Sequence, residues 1–210
     1  MQQLWTFANQ LTLFRLLVIP LILIAILYGH HGAALGLFVV AAVTDGVDGV
    51  VARRLNQKTT LGAYLDPIAD KMLLSSTFFA LALIRAVPWW VTILVLSRDV
   101  TIVATSLVVA LATPIRRFPP SVLGKMNTAV QVSTVFGVLL KNVYPVAVTL
   151  FLATALAWLT AVSTVLSGIH YAYVTSKKLS RHTARAIAEP SAEISHPHPE
   201  EAVDEVSREV

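Results

Sequence analysis

The chain has 210 residues, of which 56% are hydrophobic and only 13% charged, and its formal net charge is +4. This composition is typical of an integral membrane protein and excludes an ordinary soluble domain or a fully disordered chain. Since the sequence contains no cysteine, it has neither disulfides nor thiolate metal sites. Its basic residues lie at the ends of apolar stretches, so the positive charge does not indicate nucleic-acid binding.

Six apolar stretches predict an all-α, polytopic membrane protein with six transmembrane helices, because each is close to the roughly 20 residues that span hydrocarbon. The predicted helices cover residues 13–28, 33–54, 64–86, 89–112, 124–142 and 146–174. A short N-terminal interfacial segment, residues 2–12, carries aromatic residues of the kind found at headgroup level. We expect a membrane domain over residues 1–176 and a disordered cytosolic tail over residues 177–210, which begins basic and ends acidic.

The loop charges predict the orientation of these helices. Arg85 and Lys141 fall on one side of the predicted membrane. The other side holds Arg53, Arg54, Lys58, Arg116, Arg117, Lys125, Lys177, Lys178, Arg181 and Arg185. Because Lys and Arg are enriched in cytosolic loops, we expect both termini in the cytosol.

Acidic residues are concentrated in one window of the chain. The five that precede Glu189 are Asp45, Asp48, Asp66, Asp70 and Asp99. The first two are spaced i, i+3 and the next two i, i+4, so each pair projects from one face of its helix. Asp45 and Asp48 lie late in the second predicted helix and Asp66 and Asp70 early in the third, which places all four in the cytosolic half of the membrane.

Such a group of carboxylates has two interpretations. Each carboxylate within a bilayer costs about 2.5–3.5 kcal/mol unless it is compensated. Basic neighbours could compensate by salt bridges, and the local candidates are Arg53, Arg54 and Lys71. Alternatively, the oxygens bind hard divalent cations such as Mg²⁺. Because the local basic residues are few, the pattern favours the metal site.

The spacing resembles the signature of the CDP-alcohol phosphatidyltransferase family at all eight of its defining positions. In this sequence the signature reads Asp45-x2-Asp48-Gly49-x2-Ala52-Arg53-x8-Gly62-x3-Asp66-x3-Asp70. The resemblance implies an enzyme that transfers a phosphatidyl group from CDP-diacylglycerol to an alcohol and releases CMP. It also implies a protein of the bacterial cytoplasmic (inner) membrane. The cytosolic depth predicted for the aspartates is one at which a membrane lipid and a nucleotide headgroup can meet, so we expect the active site on the cytosolic side.

The resemblance further assigns roles to residues. The four aspartates would hold two Mg²⁺ or Mn²⁺ ions, and Asp70 would also accept the proton of the acceptor hydroxyl. Arg53 would contact the diphosphate, while Gly49 and Ala52 leave space for the nucleotide. Gly62 is expected in a tight turn that enters the third helix.

Four basic residues are candidates for acceptor binding, namely Arg98, Arg116, Arg117 and Lys125. Arg98 could instead neutralise its neighbour Asp99, and the other three could instead anchor helix ends at the cytosolic face. Arg15 either contacts a lipid phosphate or anchors the first helix. Two segments resemble phosphatidylglycerophosphate synthases and CDP-alcohol-type cardiolipin synthases, Ser97-Arg98-Asp99 and Gly124-Lys125-x-Asn127-Thr128-x-x-Gln131.

The resemblance leads us to expect a phospholipid-synthesising enzyme with glycerol 3-phosphate as acceptor. The alternative acceptor is phosphatidylglycerol, and a remote alternative is a cation or proton transporter that uses intramembrane aspartates. The expected partners are CDP-diacylglycerol, a glycerol-type acceptor and membrane lipids, without nucleic acid. A homodimer is left open.

Overall fold

The structure is a computed structural model that describes the backbone of residues 7–54, 60–112 and 122–193. Side chains are described for residues 10–45, 68–105 and 123–173. The chain divides into two compact units, Met1–Gly168 and Ile169–Val210. The predicted domain boundary after residue 176 remains a prediction.

Every regular element in the described residues is an α-helix, as the sequence predicts. The helices are α1 (Phe7–Leu27), α2 (His31–Arg54), α3 (Thr60–Leu83), α4 (Trp89–Ala112), α5 (Val122–Val143) and α6 (Ala147–Glu193). Their order and number in this part of the chain agree with the six apolar stretches. The all-α fold class is therefore confirmed for the described residues.

Two helix ends close by the same left-handed turn. After α1, Gly29 has φ 76°, and the N–H of His30 donates to the carbonyl of Ala25 at 2.8 Å. After α3, Arg85 has φ 58°, and the N–H of Ala86 donates to the carbonyl of Leu81 at 2.9 Å. Glycine is the usual residue at such a position because a side chain disfavours positive φ.

Several predicted helix boundaries differ from those of the structure. Gly62 is not in a turn before the third helix but within α3, which begins at Thr60. Residue 7 already belongs to α1, so the helix starts inside the predicted interfacial segment. α6 continues to Glu193, across residues 177–193 where the sequence predicts a disordered tail. That segment is rich in Ala, Lys and Arg, which favour helix, and the charge pattern alone did not reveal this propensity.

The core of the first unit forms around α1. This helix packs against α2 and α3, while α5 packs against both of them and α4 packs against α3. Ile22, Ile26, Phe38 and Phe78 are almost fully buried at these contacts. α5 also bonds to α6, because Oγ1 of Thr134 lies 2.6 Å from Oγ1 of Thr160. The packing of α1, α2 and α3 brings together Arg15, Asp45 and Asp70, one from each helix.

Two of the helices in the described residues are long and apolar enough to cross a membrane. The qualifying stretches are Gln10–Leu27 in α1 and Ala147–Tyr173 in α6. Large apolar side chains on α1, α4 and α6 are exposed, among them Leu17, Val100 and Phe151. A surface of this kind suits contact with lipid. The predicted six-span topology goes further than this finding and remains a prediction.

Candidate active site

Arg15 joins two of the predicted site aspartates. Its Nη2 lies 2.8 Å from Oδ1 of Asp45, and its Nη1 donates to Oδ1 of Asp70 at 2.7 Å. The three side chains come from α1, α2 and α3, so their meeting point is fixed by the packing of three helices. A planar guanidinium carries donors in a rigid fork, and it can hold two carboxylates in a defined relative position.

The burial of these groups differs in a way that suits a binding site. The side chain of Arg15 is only 1% exposed, whereas those of Asp45 and Asp70 are 45% and 36% exposed. An ionised carboxylate has two oxygens and about four lone-pair directions, and Arg15 contacts Oδ1 of each aspartate. Partly exposed carboxylate oxygens are the ligands that Mg²⁺ and Mn²⁺ prefer, so the residues present fit a hard divalent cation.

Much of the predicted signature lies beyond the described side chains. Within those described, no group of three or more potential metal ligands occurs, since only two of the four aspartates are among them. The structure describes only the backbone of the other signature residues. Those in α2 are Asp48, Gly49, Ala52 and Arg53, and those in α3 are Gly62 and Asp66. Arg116 and Arg117 lie outside the described residues. Their assigned roles stay predictions.

A second charged cluster begins at the residue that follows Asp70 on α3. Lys71 follows Asp70 in sequence, but its Nζ donates to Oδ1 of Asp99 on α4 at 2.6 Å. The same oxygen accepts a bond of 2.8 Å from Nη1 of Arg98. Nη2 of Arg98 donates to Oγ of Ser167 at 2.8 Å. Lys71 therefore compensates Asp99 in the structure, and the alternative in which Arg98 neutralises its neighbour has direct geometric support.

The segment that opens α5 contributes a polar contact with α6. Asn127 is buried, and its Oδ1 accepts bonds from Ser163 at 2.7 Å and from Thr164 at 3.1 Å. Lys125 is exposed in the first turn of α5. Thus the polar residues of this segment include a buried amide that bonds α6 and an exposed cation.

Comparison with known proteins decides the family. A model of the CDP-alcohol phosphatidyltransferase family matches residues 5–166, which include the complete signature and the Arg15 contact. The chain belongs to the CDP-alcohol phosphatidyltransferase family. It is therefore an enzyme of phospholipid biosynthesis, and the family is embedded in membranes and generally depends on divalent metal ions.

Curated members of the CDP-alcohol phosphatidyltransferase family are similar over most of the chain. A probable phosphatidylglycerophosphate synthase of Mycobacterium tuberculosis is 38% identical, with 78% of each chain covered. A CDP-diacylglycerol–glycerol-3-phosphate 3-phosphatidyltransferase of Bacillus subtilis is 33% identical, with 78% of this chain and 91% of the relative covered. A CMP-forming cardiolipin synthase of Rattus norvegicus is 35% identical, with 70% of this chain but 54% of the relative covered.

For this CDP-alcohol phosphatidyltransferase, the residue that sequence reasoning missed at the site is Arg15. The sequence suggested a lipid contact or an anchor for Arg15. An ion pair was not expected, because Arg15 lies 30 positions before the first aspartate. The available signal was a lone cation within an apolar helix, since such a charge needs an internal partner. Only the packing of α1 against α2 and α3 identifies that partner.

Proposed function

We propose that the protein transfers the phosphatidyl group of CDP-diacylglycerol to glycerol 3-phosphate and releases CMP. The observation that carries this choice of acceptor is the similarity to the Bacillus subtilis glycerol-3-phosphate phosphatidyltransferase, of which 91% is covered. The 38% identity to the Mycobacterium tuberculosis protein supports the same acceptor. The chain thus corresponds to nearly the whole of a relative that is named for this reaction.

A second candidate acceptor is phosphatidylglycerol, which would make the protein a cardiolipin synthase. The 35% identity to the rat cardiolipin synthase favours it. That alignment covers only 54% of the rat protein, so it supports the shared transferase core more than the acceptor. We therefore place glycerol 3-phosphate first.

The proposed chemistry uses the four carboxylates of the family signature. Asp45, Asp48, Asp66 and Asp70 would hold Mg²⁺ or Mn²⁺, which when bound supplies neutralisation of the diphosphate and of the charge that develops on transfer. Asp70 accepts the proton of the attacking acceptor hydroxyl. The hydroxyl oxygen then forms a bond to the lipid-linked phosphorus as the bond to CMP breaks. The partial exposure of Asp70 is compatible with access by an acceptor.

Arg15 positions this chemistry without touching the substrate. Because its guanidinium is almost fully buried and bonds both carboxylates, it sets the distance between α2 and α3 at the site. It also places one fixed positive charge beneath the carboxylates, which lowers their mutual repulsion before any cation binds.

Residues of the signature between the aspartates would receive the nucleotide. Gly49 has no side chain and Ala52 a small one, so both residue types on α2 would leave space for the nucleotide. Arg53 would supply a positive charge for the diphosphate, and Gly62 lies near the start of α3.

Basic residues would bind the phosphate of glycerol 3-phosphate. The candidates are Arg116, Arg117 and Lys125, with Arg98 deeper in the protein. The exposure of Lys125 supports its access to a water-soluble acceptor.

The proposed topology has six membrane spans with both termini in the cytosol. The apolar stretches in α1 and α6 support membrane insertion, and the asymmetry of basic residues supports the orientation. In that orientation Asp45 and Asp70 face the cytosolic half of a bacterial inner membrane. A glycerol-phosphate acceptor from water and a lipid donor from the bilayer can both reach that depth.

An assay that offers each acceptor in turn tests the proposal. The purified protein is incubated with CDP-diacylglycerol, Mg²⁺ and either glycerol 3-phosphate or phosphatidylglycerol, and both CMP and the lipid product are measured. With glycerol 3-phosphate we expect release of CMP and formation of phosphatidylglycerophosphate. If CMP is released only with phosphatidylglycerol, and cardiolipin is formed, the second candidate is correct.

A further inference from the structure

A cavity of about 400 Å³ lies at the end of the helix bundle opposite to the aspartates. The end of α1, the start of α2, the turn between α3 and α4, and the end of α5 surround it. The polar lining consists of His31, Arg85, Lys141 and Asn142, beside Gly29 and Ala86. From Arg15 to Leu27, from Asp45 back to His31 and from Asp70 to Leu83, each helix rises by about 20 Å at 1.5 Å per residue. The cavity is therefore separate from the active site.

The lining of the cavity is suited to an anion. Arg85 and Lys141 are cationic, and among the lining residues that the structure describes none is acidic. Nζ of Lys141 donates to the carbonyl of Ala86 at 3.1 Å, and an ammonium has two further donors. Two buried nitrogens, Nδ1 of His31 and Nδ2 of Asn142, have no hydrogen-bond partner among the described residues. A buried polar nitrogen without a partner is costly, and an oxyanion would provide acceptors.

The backbone of Arg85 adds an independent observation. This residue occupies a left-handed turn with φ 58°, whereas the equivalent turn after α1 uses Gly29. A non-glycine residue in this region carries a conformational cost, which glycine would avoid. The cost is consistent with a use for the arginine side chain, which is exposed at the cavity.

The surroundings indicate which anion is available. One apolar stretch long enough to cross a membrane ends at Leu27, and the other begins at Ala147, five positions after Asn142. Four exposed aromatic residues lie near the same helix ends: Tyr28, Trp89, Trp90 and Tyr144. Tyr and Trp are enriched where a membrane meets water, at the level of the lipid headgroups. A phosphate group at that level belongs to a phospholipid.

We propose that this cavity binds the headgroup phosphate of an anionic phospholipid. Arg85 and Lys141 pair with the phosphodiester, and the amide of Asn142 donates to one of its oxygens. An anionic lipid is favoured over a zwitterionic one because the described lining offers no carboxylate for a headgroup ammonium. The proposal does not depend on the acceptor of the catalytic reaction, since the cavity is remote from Asp45 and Asp70.

Thermal unfolding of the full chain in detergent micelles tests the proposal. Phosphatidylglycerol, phosphatidylcholine or inorganic phosphate is titrated in, without CDP-diacylglycerol, and the Tm is followed. We expect phosphatidylglycerol to raise the Tm saturably and phosphatidylcholine or inorganic phosphate to do so much less. In Arg85→Gln the apparent affinity for phosphatidylglycerol should fall by about tenfold, the effect of losing one charged hydrogen bond. His30→Gln is the matched control, because His30 is exposed next to the cavity but does not line it.

Other outcomes would overturn the assignment. An equal shift with phosphatidylcholine would remove the selectivity for anionic lipid, and an equal shift with inorganic phosphate would assign the site to a free anion. A shift that Arg85→Gln retains but Asp70→Asn loses would place the lipid in the active site. A purely structural role of Arg85 would lower the Tm by the same amount with and without lipid. A Lys141→Gln variant should also weaken the binding of phosphatidylglycerol. If that variant fails to fold because the bond to Ala86 is lost, Arg85→Gln still decides the matter.

Discussion

Arg15 and Asp70 are 55 positions apart in sequence, yet Nη1 of the arginine donates to Oδ1 of the aspartate at 2.7 Å. The same guanidinium bonds Asp45, so one buried cation connects the two helices that carry the family signature. This contact explains how paired carboxylates are kept close in an apolar surrounding before a metal ion binds. It also adds α1 to the candidate active site, although the signature itself includes no residue of α1.

Replacement of Arg15 by Gln should lower kcat by about 10- to 100-fold, the usual effect of losing a group that orients metal ligands. The half-saturating Mg²⁺ concentration should change as well, because the relative position of Asp45 and Asp70 is no longer fixed. Arg15→Lys is the control, since it keeps the charge but cannot reproduce the forked geometry. We expect Arg15→Lys to lie between the wild type and Arg15→Gln. Unchanged kcat and Mg²⁺ dependence in Arg15→Gln would refute the positioning role.

Replacement of Asp99 by Asn should destabilise the protein by about 3 kcal/mol, because removing one partner of a buried pair leaves the other charge uncompensated. Here two cations, Lys71 and Arg98, lose the negative charge that they share, and Asp99 is only 7% exposed. The free energy of unfolding in detergent measures the effect. Lys71→Met is the matched control: Asp99 keeps its bond to Arg98, so the loss should be smaller. Equal stability of Asp99→Asn and the wild type would contradict this interpretation.

Replacement of Lys125 by Ala should raise the KM for glycerol 3-phosphate by at least about tenfold, while the KM for CDP-diacylglycerol changes little. The physical reason is the loss of a charged hydrogen bond to the acceptor phosphate, which contributes about 1.5–3 kcal/mol. Arg116→Ala should behave in the same way. Lys178→Ala removes the same charge from the C-terminal segment and serves as control. If Lys125 only anchors the helix end, the yield of inserted protein falls and both KM values stay the same.

Composition and the length of the apolar stretches were sufficient to predict the helical fold class. Helix ends were harder, because they depend on local backbone choices that hydropathy does not contain. Gly62 suggested a turn, yet α3 begins before it at Thr60. Likewise, charge favoured disorder after residue 176, whereas helix-forming residues continue α6 to Glu193.

At the candidate site, spacing predicts the aspartates but not their partners. The pairing of Asp45 and Asp70 across one cation requires three helices to meet, and no local pattern encodes that contact. Lys71 shows the same limit, since its neighbour in sequence is Asp70 but its partner in space is Asp99. Long-range ion pairs depend on how the helices pack. The signature, in contrast, can be recognised from residue types at fixed spacing along the sequence.

We propose that Asp70 accepts a proton at a metal centre that it shares with Asp45. The decisive measurement is single-turnover release of CMP while Mg²⁺ is titrated and after addition of excess chelator. We expect wild-type activity to vanish with chelator and to return with Mg²⁺. Asp45→Asn should need more Mg²⁺ for half-maximal rate, whereas Asp70→Asn should stay slow at saturating Mg²⁺. Near-normal turnover by Asp70→Asn, or full wild-type turnover in excess chelator, would contradict the account.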